Sequence, residues 1–404
     1  MSGAVRIVSV GAPVAGGGHP DATAIVTALA GAGLPVGAHV VIEDDETALE
    51  ETLRVEGVTA IVADVGGSAG DSVRRVLSRL TGARLLLSER MHARLDAHYA
   101  RLERPVPRAA ERLALLPQGA SVADGDAPVW TLETGACAWV VFLRGRVAGA
   151  VDPTLIDLAR TRLGGRGAVA VRTFKTAGVS AEDVEERLID RLTARDVALT
   201  TLPGDGEVWV RVRARGATAA AAAQRLAEVE PTIVELLGAD CYGRDGDTLE
   251  AVVGELLRAR GQRLALAESC TGGLVGHRIT GVPGSSAYFE RGVMAYSNRA
   301  KVELLGVDEA ILRVHGGVSA PCAEAMARLV SERTGAACGV AITGIAGPGG
   351  GTSAKPVGTV FIGLAVSGKI SARRFRFSGD RASVKWQASV MALDMLRRAL
   401  EASP

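Results

Sequence analysis

An α/β fold of several domains, the first a doubly wound sheet, is what this sequence predicts. Three observations carry that prediction. Short apolar runs of strand length alternate with segments of helical pattern, which is how parallel sheets covered by helices read. The chain has 404 residues, more than one core usually accommodates. It is 48% hydrophobic but only 3% aromatic, with 50 glycines, so its interiors are packed from small residues.

The elements follow in order. Residues 4–10 read as a buried strand ending in glycine, and Asp21 is a candidate cap for a helix to Ala32. Val36–Ile42 is a strand, Glu46–Val55 a helix, Thr59–Val65 a strand, and Ser72–Leu80 a helix. Ligands on such sheets bind beyond the carboxyl ends of strands, so the loops after Val10 and Val65 are the places for a site. A long helix is expected at Ser88–Leu102, then strands at Trp130–Leu132 and Ala138–Leu143. Arg172–Leu202 reads strand, helix (Ala181–Leu192), strand, and Glu207–Arg213 alternates with period two. Ala217–Leu237 is helix-rich. The predicted domains are 1–170, 171–244 and 245–404, the last boundary falling in the turn-rich stretch Tyr242–Asp247. The third domain opens with a helix at Thr248–Arg260, for which Asp247 is a candidate cap. A strand at Arg263–Ala267, a helix at Ala323–Thr334, strands at Cys338–Thr343, Gly358–Val366 and Arg373–Phe377, and a closing helix at Arg381–Glu401 complete it.

Bulk chemistry removes several function classes. The net charge is +1 with no basic stripe, so nucleic acid and anionic membrane are not expected partners. The five cysteines, Cys137, Cys241, Cys270, Cys322 and Cys338, are scattered, odd in number and without CxxC spacing. That pattern suits neither a disulfide framework nor a structural zinc site, and points to a reducing cytoplasm. No apolar run reaches the ~18 residues that span a bilayer, and Met1–Gly18 lacks the basic start of a signal peptide.

The stretch Ala267-Glu268-Ser269-Cys270-Thr271-Gly272-Gly273 stands out. It joins a strand to a helix-like segment, Leu274–Ile279, and gathers a carboxylate, two hydroxyls, a thiol and two glycines. Such turns bring nucleophiles and backbone amides close to a small ligand. Two further motifs lie downstream, Tyr296-Ser297-Asn298-Arg299-Ala300-Lys301 and Thr343-Gly344-Ile345-Ala346-Gly347-Pro348-Gly349-Gly350-Gly351. The second reads as a phosphate cradle or as a tight turn; it lacks the Lys-Ser/Thr ending of a nucleoside-triphosphate loop.

With Pro283–Gly292, Gly316–Ser319, Lys355–Val360 and Gly379–Arg381, these motifs make residues 245–404 resemble the C-terminal domain of the CinA family. That domain is similar to nicotinamide-nucleotide amidohydrolases, which convert nicotinamide mononucleotide to nicotinate mononucleotide and ammonia. The remainder resembles the family's molybdopterin-binding-like domain and its small KH-type module. The resemblance implies Ser269, Tyr296 and Lys301 as catalytic residues and Ser286, Thr343 and Arg381 as further site residues. With Thr271 and Gly272 of the turn and Gly344 and Gly347 of the glycine loop, these form the expected substrate-binding set. It also implies a homodimer.

Amide hydrolysis needs a nucleophile, a base, an oxyanion site and a substrate clamp. Ser269 stands where a helix N-terminus can stabilise negative charge, and its hydroxyl needs a base. The motif cores hold no histidine, which leaves a serine–lysine pair with Lys301 as base, its pKa lowered toward neutrality. Tyr296 reads as a proton relay, an amide-orienting group or core packing. Glu268 either caps amides or orients Lys301, and Cys270 reads as a buried small residue facing away. Arg381 can bind phosphate, pair with Asp380 or cap a helix. No metal or organic cofactor is required by this chemistry.

The first domain departs from the family. A Gly-Gly-Leu-Gly-Pro-Thr loop followed by two aspartates and a threonine is replaced by Gly66-Gly67-Ser68-Ala69-Gly70-Asp71-Ser72. The first loop is Gly11–Ala15 without an acid, and a later Leu-Pro-Gly-Val-Pro-Ser-Glu loop is replaced by Leu143–Gly149. Diphosphate hydrolysis depends on carboxylates around a divalent metal, so the expectation is a retained fold without pyrophosphatase activity. The KH-type module has no Gly-X-X-Gly loop and no basic face, and RNA binding is not expected. Two rival readings are a non-catalytic nucleotide-binding regulator in competence or DNA damage, and an ADP-ribose pyrophosphatase.

Overall fold

The computed structural model describes residues 4–11, 20–63, 68–101, 103–124, 129–143, 151, 153–163, 168–192 and 197–402. The chain divides into two compact units, Met1–Val171 with Arg215–Arg225, and Arg172–Ala214 with Leu226–Pro404.

The first unit alternates strand and helix through β1 (Val5–Val10), α1 (Pro20–Gly31), β2 (Val36–Ile42), α2 (Glu46–Leu53), β3 (Gly57–Ala63) and α3 (Ser68–Thr81). Then come β4 (Leu85–Leu87), α4 (Glu89–Arg101), α5 (Arg108–Glu111), β5 (Leu115–Pro117), β6 (Ser121–Val122), β7 (Trp130–Glu133), β8 (Cys137–Leu143) and α6 (Pro153–Leu163). The main sheet has the order β2-β1-β3-β8-β7-β6. β2, β1, β3 and β8 run parallel, whereas β7 and β6 add an antiparallel edge. The reversal is local: Cys137 N–H donates to Thr134 Oγ1 at 3.1 Å, closing a turn too short for a parallel crossover. Side chains alternate between two cores. Val8, Val10 and Ile61 point to one, Val5, Ile7, Val58 and Val62 to the other. Asp21 is not the cap of α1 but a buried residue of its first turn, because Pro20 opens the helix. Residues 12–15, 66–67 and 144–149 of the loops singled out above lie outside the described residues.

The chain continues with β9 (Ala168–Ala177), α7 (Ala181–Leu192), β10 (Val197–Pro203), β11 (Glu207–Gly216), α8 (Ala219–Leu237) and β12 (Cys241–Arg244), in a sheet ordered β10-β11-β9-β12. Next come α9 (Leu249–Ala259), β13 (Leu264–Glu268), α10 (Leu274–Thr280), β14 (Phe289–Met294), α11 (Asn298–Ala300), α12 (Glu309–His315), α13 (Ala320–Thr334), β15 (Cys338–Gly344), β16 (Thr359–Val366), β17 (Lys369–Arg376) and α14 (Arg381–Ala402). The cap of α9 is Thr248, whose hydroxyl accepts from Ala251 N–H. Asp247 instead accepts from Arg244 N–H and closes the preceding turn.

The five-stranded sheet has the order β14-β13-β15-β16-β17. β13 is parallel to β14 and β15, and β16 and β17 are antiparallel additions. Period-two alternation gives it two unlike faces. Leu264, Leu266, Val340, Ile342 and Ile362 meet residues of α9, α10 and α14, such as Leu257, Ile279 and Leu396. Ala265, Ala267 and Ala341 meet Cys322, Met326 and Val330 of α13. The small-residue face lets α13 lie very close. A Cβ on Gly339 or Gly363 would stand 2.2 Å from the Ala327 or Ala323 carbonyl oxygen. This contact explains how an interior so poor in aromatics is filled, by shortening the distance between layers.

Candidate functional site

Three chain segments converge at the carboxyl ends of β13 and β15. The first follows β13. Ser269 N–H bonds Ile342 O at 2.9 Å, which extends the strand pairing by one residue. The chain then turns, with Gly272 N–H on Ser269 O at 3.1 Å, through left-handed Gly272 (φ 62°) and Gly273 (φ 91°). Both glycines are needed there, because L side chains rarely adopt that backbone region. Thr271 is fully buried and its Oγ1 has no hydrogen-bond partner among the described residues.

Glu268 holds this turn. Its carboxylate accepts from Gly273, Val275 and Gly276 N–H at 3.0, 3.2 and 2.8 Å, and it is 2% exposed. The amides of the α10 N-terminus are therefore occupied by a carboxylate. This corrects the expectation that they would stabilise charge developing near Ser269. Glu268→Ala is expected to lower unfolding stability by about 3 kcal/mol or more, because buried donors lose their acceptor. Urea unfolding midpoints beside the wild type check this.

The second segment carries Tyr296, Asn298 and Lys301. Ser297 caps its turn through Ala300 N–H, and a π-helical turn, Lys301–Leu305, follows. Lys301 is only 3% exposed, and its Nζ stands 3.3 Å from Ser269 Oγ. Burial pushes the lysine pKa down, opposed in part by the nearby Cys322 and Cys270 thiols. The Ser269 hydroxyl also lies 3.3 Å from the Tyr296 main-chain carbonyl, to which it donates. Burial lifts the Cys270 thiol to about 12, so it is not ionised near neutrality.

The third segment is the glycine loop after β15. Thr343, fully buried, donates its hydroxyl to Gly317 O at 2.6 Å. The Gly347 carbonyl accepts from Arg381 Nη1 at 2.7 Å, and Arg381 Nη2 reaches the Tyr296 hydroxyl at 3.0 Å. Arg381 has no carboxylate partner among the described residues, since Asp380 instead accepts from Ser383 N–H at the start of α14.

These three segments, with Gly317, Val318 and Arg381, line an open cleft of about 390 Å³. Ser269, Tyr296, Lys301, Thr343, Gly344, Gly347 and Arg381 of the expected set line it. Thr271 and Gly272 do not; they shape the turn beneath. Ser286 does not either. It lies before β14, at the amino end of the parallel β13–β14 pair, with its carbonyl facing Arg263. The length of β13, roughly 17 Å at ~3.3 Å per residue, separates that end from Ser269. Sequence reasoning passed over Asn298, Gly317 and Val318, which also line the cleft, and it faced Cys270 away although Cys270 is part of the wall. Asn298 sits between Tyr296 and Lys301 in one motif, and that position is its signal in the sequence.

Residues 246–400 match the family described as the CinA C-terminal domain, and residues 171–243 match the damage-inducible protein CinA KH domain. A putative competence-damage inducible protein of Moorella thermoacetica is 38% identical over 386 residues, covering 93% of this chain and 92% of that protein. This chain belongs to the CinA family. A CinA-like protein of Geobacter sulfurreducens is 37% identical, covering 94% of each chain. Among solved structures, a CinA superfamily protein of Klebsiella pneumoniae is 37% identical with a TM-score of 0.38, covering 38% of this chain and 97% of that one. A competence/damage inducible protein of Agrobacterium tumefaciens is 38% identical with a TM-score of 0.37, covering 38% of this chain and 93% of that one.

In the first unit of this CinA protein, Asp71 stands in the first turn of α3, the helix that follows β3. It pairs with Arg74 on its own helix and with Arg112 at 3.3 Å. Arg74 is buried, and desolvation lowers its pKa to about 10. Among the described residues no group of three His, Cys, Asp or Glu gathers as a metal site, and no helix is long and apolar enough to cross a membrane.

Proposed function

We propose that this CinA protein hydrolyses the carboxamide of nicotinamide mononucleotide to nicotinate mononucleotide and ammonia. The observation that carries the reading is the buried Lys301 amine 3.3 Å from the Ser269 hydroxyl, in a cleft of about 390 Å³. That volume falls within the ~300–1,000 Å³ of small-ligand sites.

Neutral Lys301 takes the Ser269 proton as Oγ attacks the carboxamide carbon. The resulting ammonium returns a proton to the leaving nitrogen, and ammonia departs. Water then cleaves the acyl-serine with Lys301 again as base, regenerating the hydroxyl and releasing the carboxylate. Nucleophile and base both come from side chains, so the scheme needs no metal. Arg381, uncompensated by any carboxylate among the described residues, supplies positive charge for the phosphate, and the glycine loop carries it to the cleft wall.

The test is ammonia release from nicotinamide mononucleotide by the full chain in chelator. Turnover of about 1–10³ s⁻¹ is expected, the ordinary range for enzymes. A folded protein without turnover would overturn the reading. The same preparation with ADP-ribose and a divalent metal is expected to release nothing, because the arginines on Asp71 compete with any cation.

A further inference from the structure

Gly317 is a glycine for lack of space, not for its backbone angle, since it is not among the glycines with positive φ. A Cβ there would meet Asn298 Oδ1 at 2.2 Å and Cγ at 3.3 Å. The neighbouring Gly316 is the one with the left-handed φ of 78°. The Gly317 carbonyl is fixed from its other side by the buried Thr343 hydroxyl at 2.6 Å. The loop thus leaves a gap for the Asn298 amide and is anchored beside it by the Thr343 hydrogen bond.

That amide makes no hydrogen bond within the chain among the described residues, and Asn298 is exposed on the cleft wall. It stands three residues before Lys301 on the same turn, so it shares the lysine's side of the helix. A side-chain amide offers one acceptor oxygen and two N–H donors. A primary carboxamide offers the same set, and the two pair head to tail. A carboxylate, the product of deamidation, has acceptors only.

We propose that Asn298 is a specificity-determining residue that reads the scissile carboxamide, its Oδ1 accepting from the substrate NH₂ and its Nδ2 donating to the substrate carbonyl. This rests on the amidase reading above. On hydrolysis the substrate N–H groups leave as ammonia. Asn298 Oδ1 then faces a carboxylate oxygen with no proton between them, which weakens product binding and favours release. Two acceptors facing each other with no proton between them discriminate against the product.

The experiment measures equilibrium binding of nicotinamide mononucleotide and nicotinate mononucleotide by calorimetry, with Ser269→Ala as background so that neither ligand turns over. Adding Asn298→Asp keeps the acceptor for the NH₂ group but opposes the product carboxylate. The ratio of product Kd to substrate Kd is expected to rise about tenfold or more, equivalent to ~1.4 kcal/mol. Adding Asn298→Ala is expected to weaken the amide about tenfold and bring the two Kd values within about threefold of each other. Equal shifts for both ligands, or no shift in either variant, would overturn the assignment while leaving the amidase intact. Absence of ammonia release from nicotinamide mononucleotide by the wild type would instead remove the amidase reading and this inference with it. Because the Asn298 side chain is exposed and makes no hydrogen bond among the described residues, both variants are expected to keep the wild-type melting temperature.

Discussion

Ser269→Ala is expected to cut ammonia release from nicotinamide mononucleotide by at least about 10³-fold in kcat, with little change in substrate Kd. The variant loses one hydroxyl that bonds the Tyr296 carbonyl and Lys301 Nζ, so its melting temperature should stay within a few degrees of the wild type. Cys270→Ala provides the contrast. The two residues are adjacent, both line the cleft, and a thiol is the stronger nucleophile in principle. Yet burial lifts that thiol to about 12, which leaves almost no thiolate at neutral pH. Cys270→Ala should therefore retain turnover within about threefold. A steady-state assay of both variants decides the nucleophile. The serine assignment fails if the cysteine variant is dead and the serine variant active.

Why the serine and lysine were legible in the sequence, and other parts were not, has a physical reason. A strand running into paired glycines announces a tight turn, and Lys301 stands out because the motif cores hold no histidine to act as base and the family resemblance marks its position. Those are properties of side chains at fixed positions. The Tyr296 contribution is different. Its side chain reads as a proton relay, an amide-orienting group or core packing, whereas its main-chain carbonyl faces Ser269 and its hydroxyl accepts from Arg381. Every residue has a carbonyl, so no residue type signals that role. Glu268 shows a second limit. A carboxylate beside a nucleophile reads equally as a cap or as an orienting group, and only the path of the next eight residues decides for the cap. In the fold, β1 to β3 and their helices followed from alternation of apolar runs. The antiparallel β7 did not, because strand direction depends on the three residues that join it to β8. Ser286 lies across the length of β13 from the cleft, a separation that motif order along the chain does not contain.

Lys301→Met is expected to abolish turnover, by at least about 10³-fold, and at the same time to raise the melting temperature at pH 7. Both effects have one cause. The amine is buried when the chain is folded and hydrated when it is unfolded, so its folded pKa lies below the 10.5 of a free lysine. Between the folded pKa and 10.5 the unfolded state binds more protons, and stability rises with pH across that interval. Below the folded pKa the lysine is charged in both states, and the full penalty of burying the charge is present. A methionine of similar length carries no such penalty, so Lys301→Met gains most at neutral or lower pH and nothing above 10.5. Thermal melts of both proteins from pH 6 to 10 should converge as pH rises. The same shift governs activity. Only neutral Lys301 can accept the Ser269 proton, so wild-type kcat/KM should climb with pH and level off with an inflection below 10.5. Lys301→Arg should be inactive at every pH, because a guanidinium stays protonated throughout. An active arginine variant, or a profile falling with rising pH, would mean that Lys301 works as a fixed charge and that another group takes the proton. The destabilising buried amine would then have to be explained by binding instead of base catalysis.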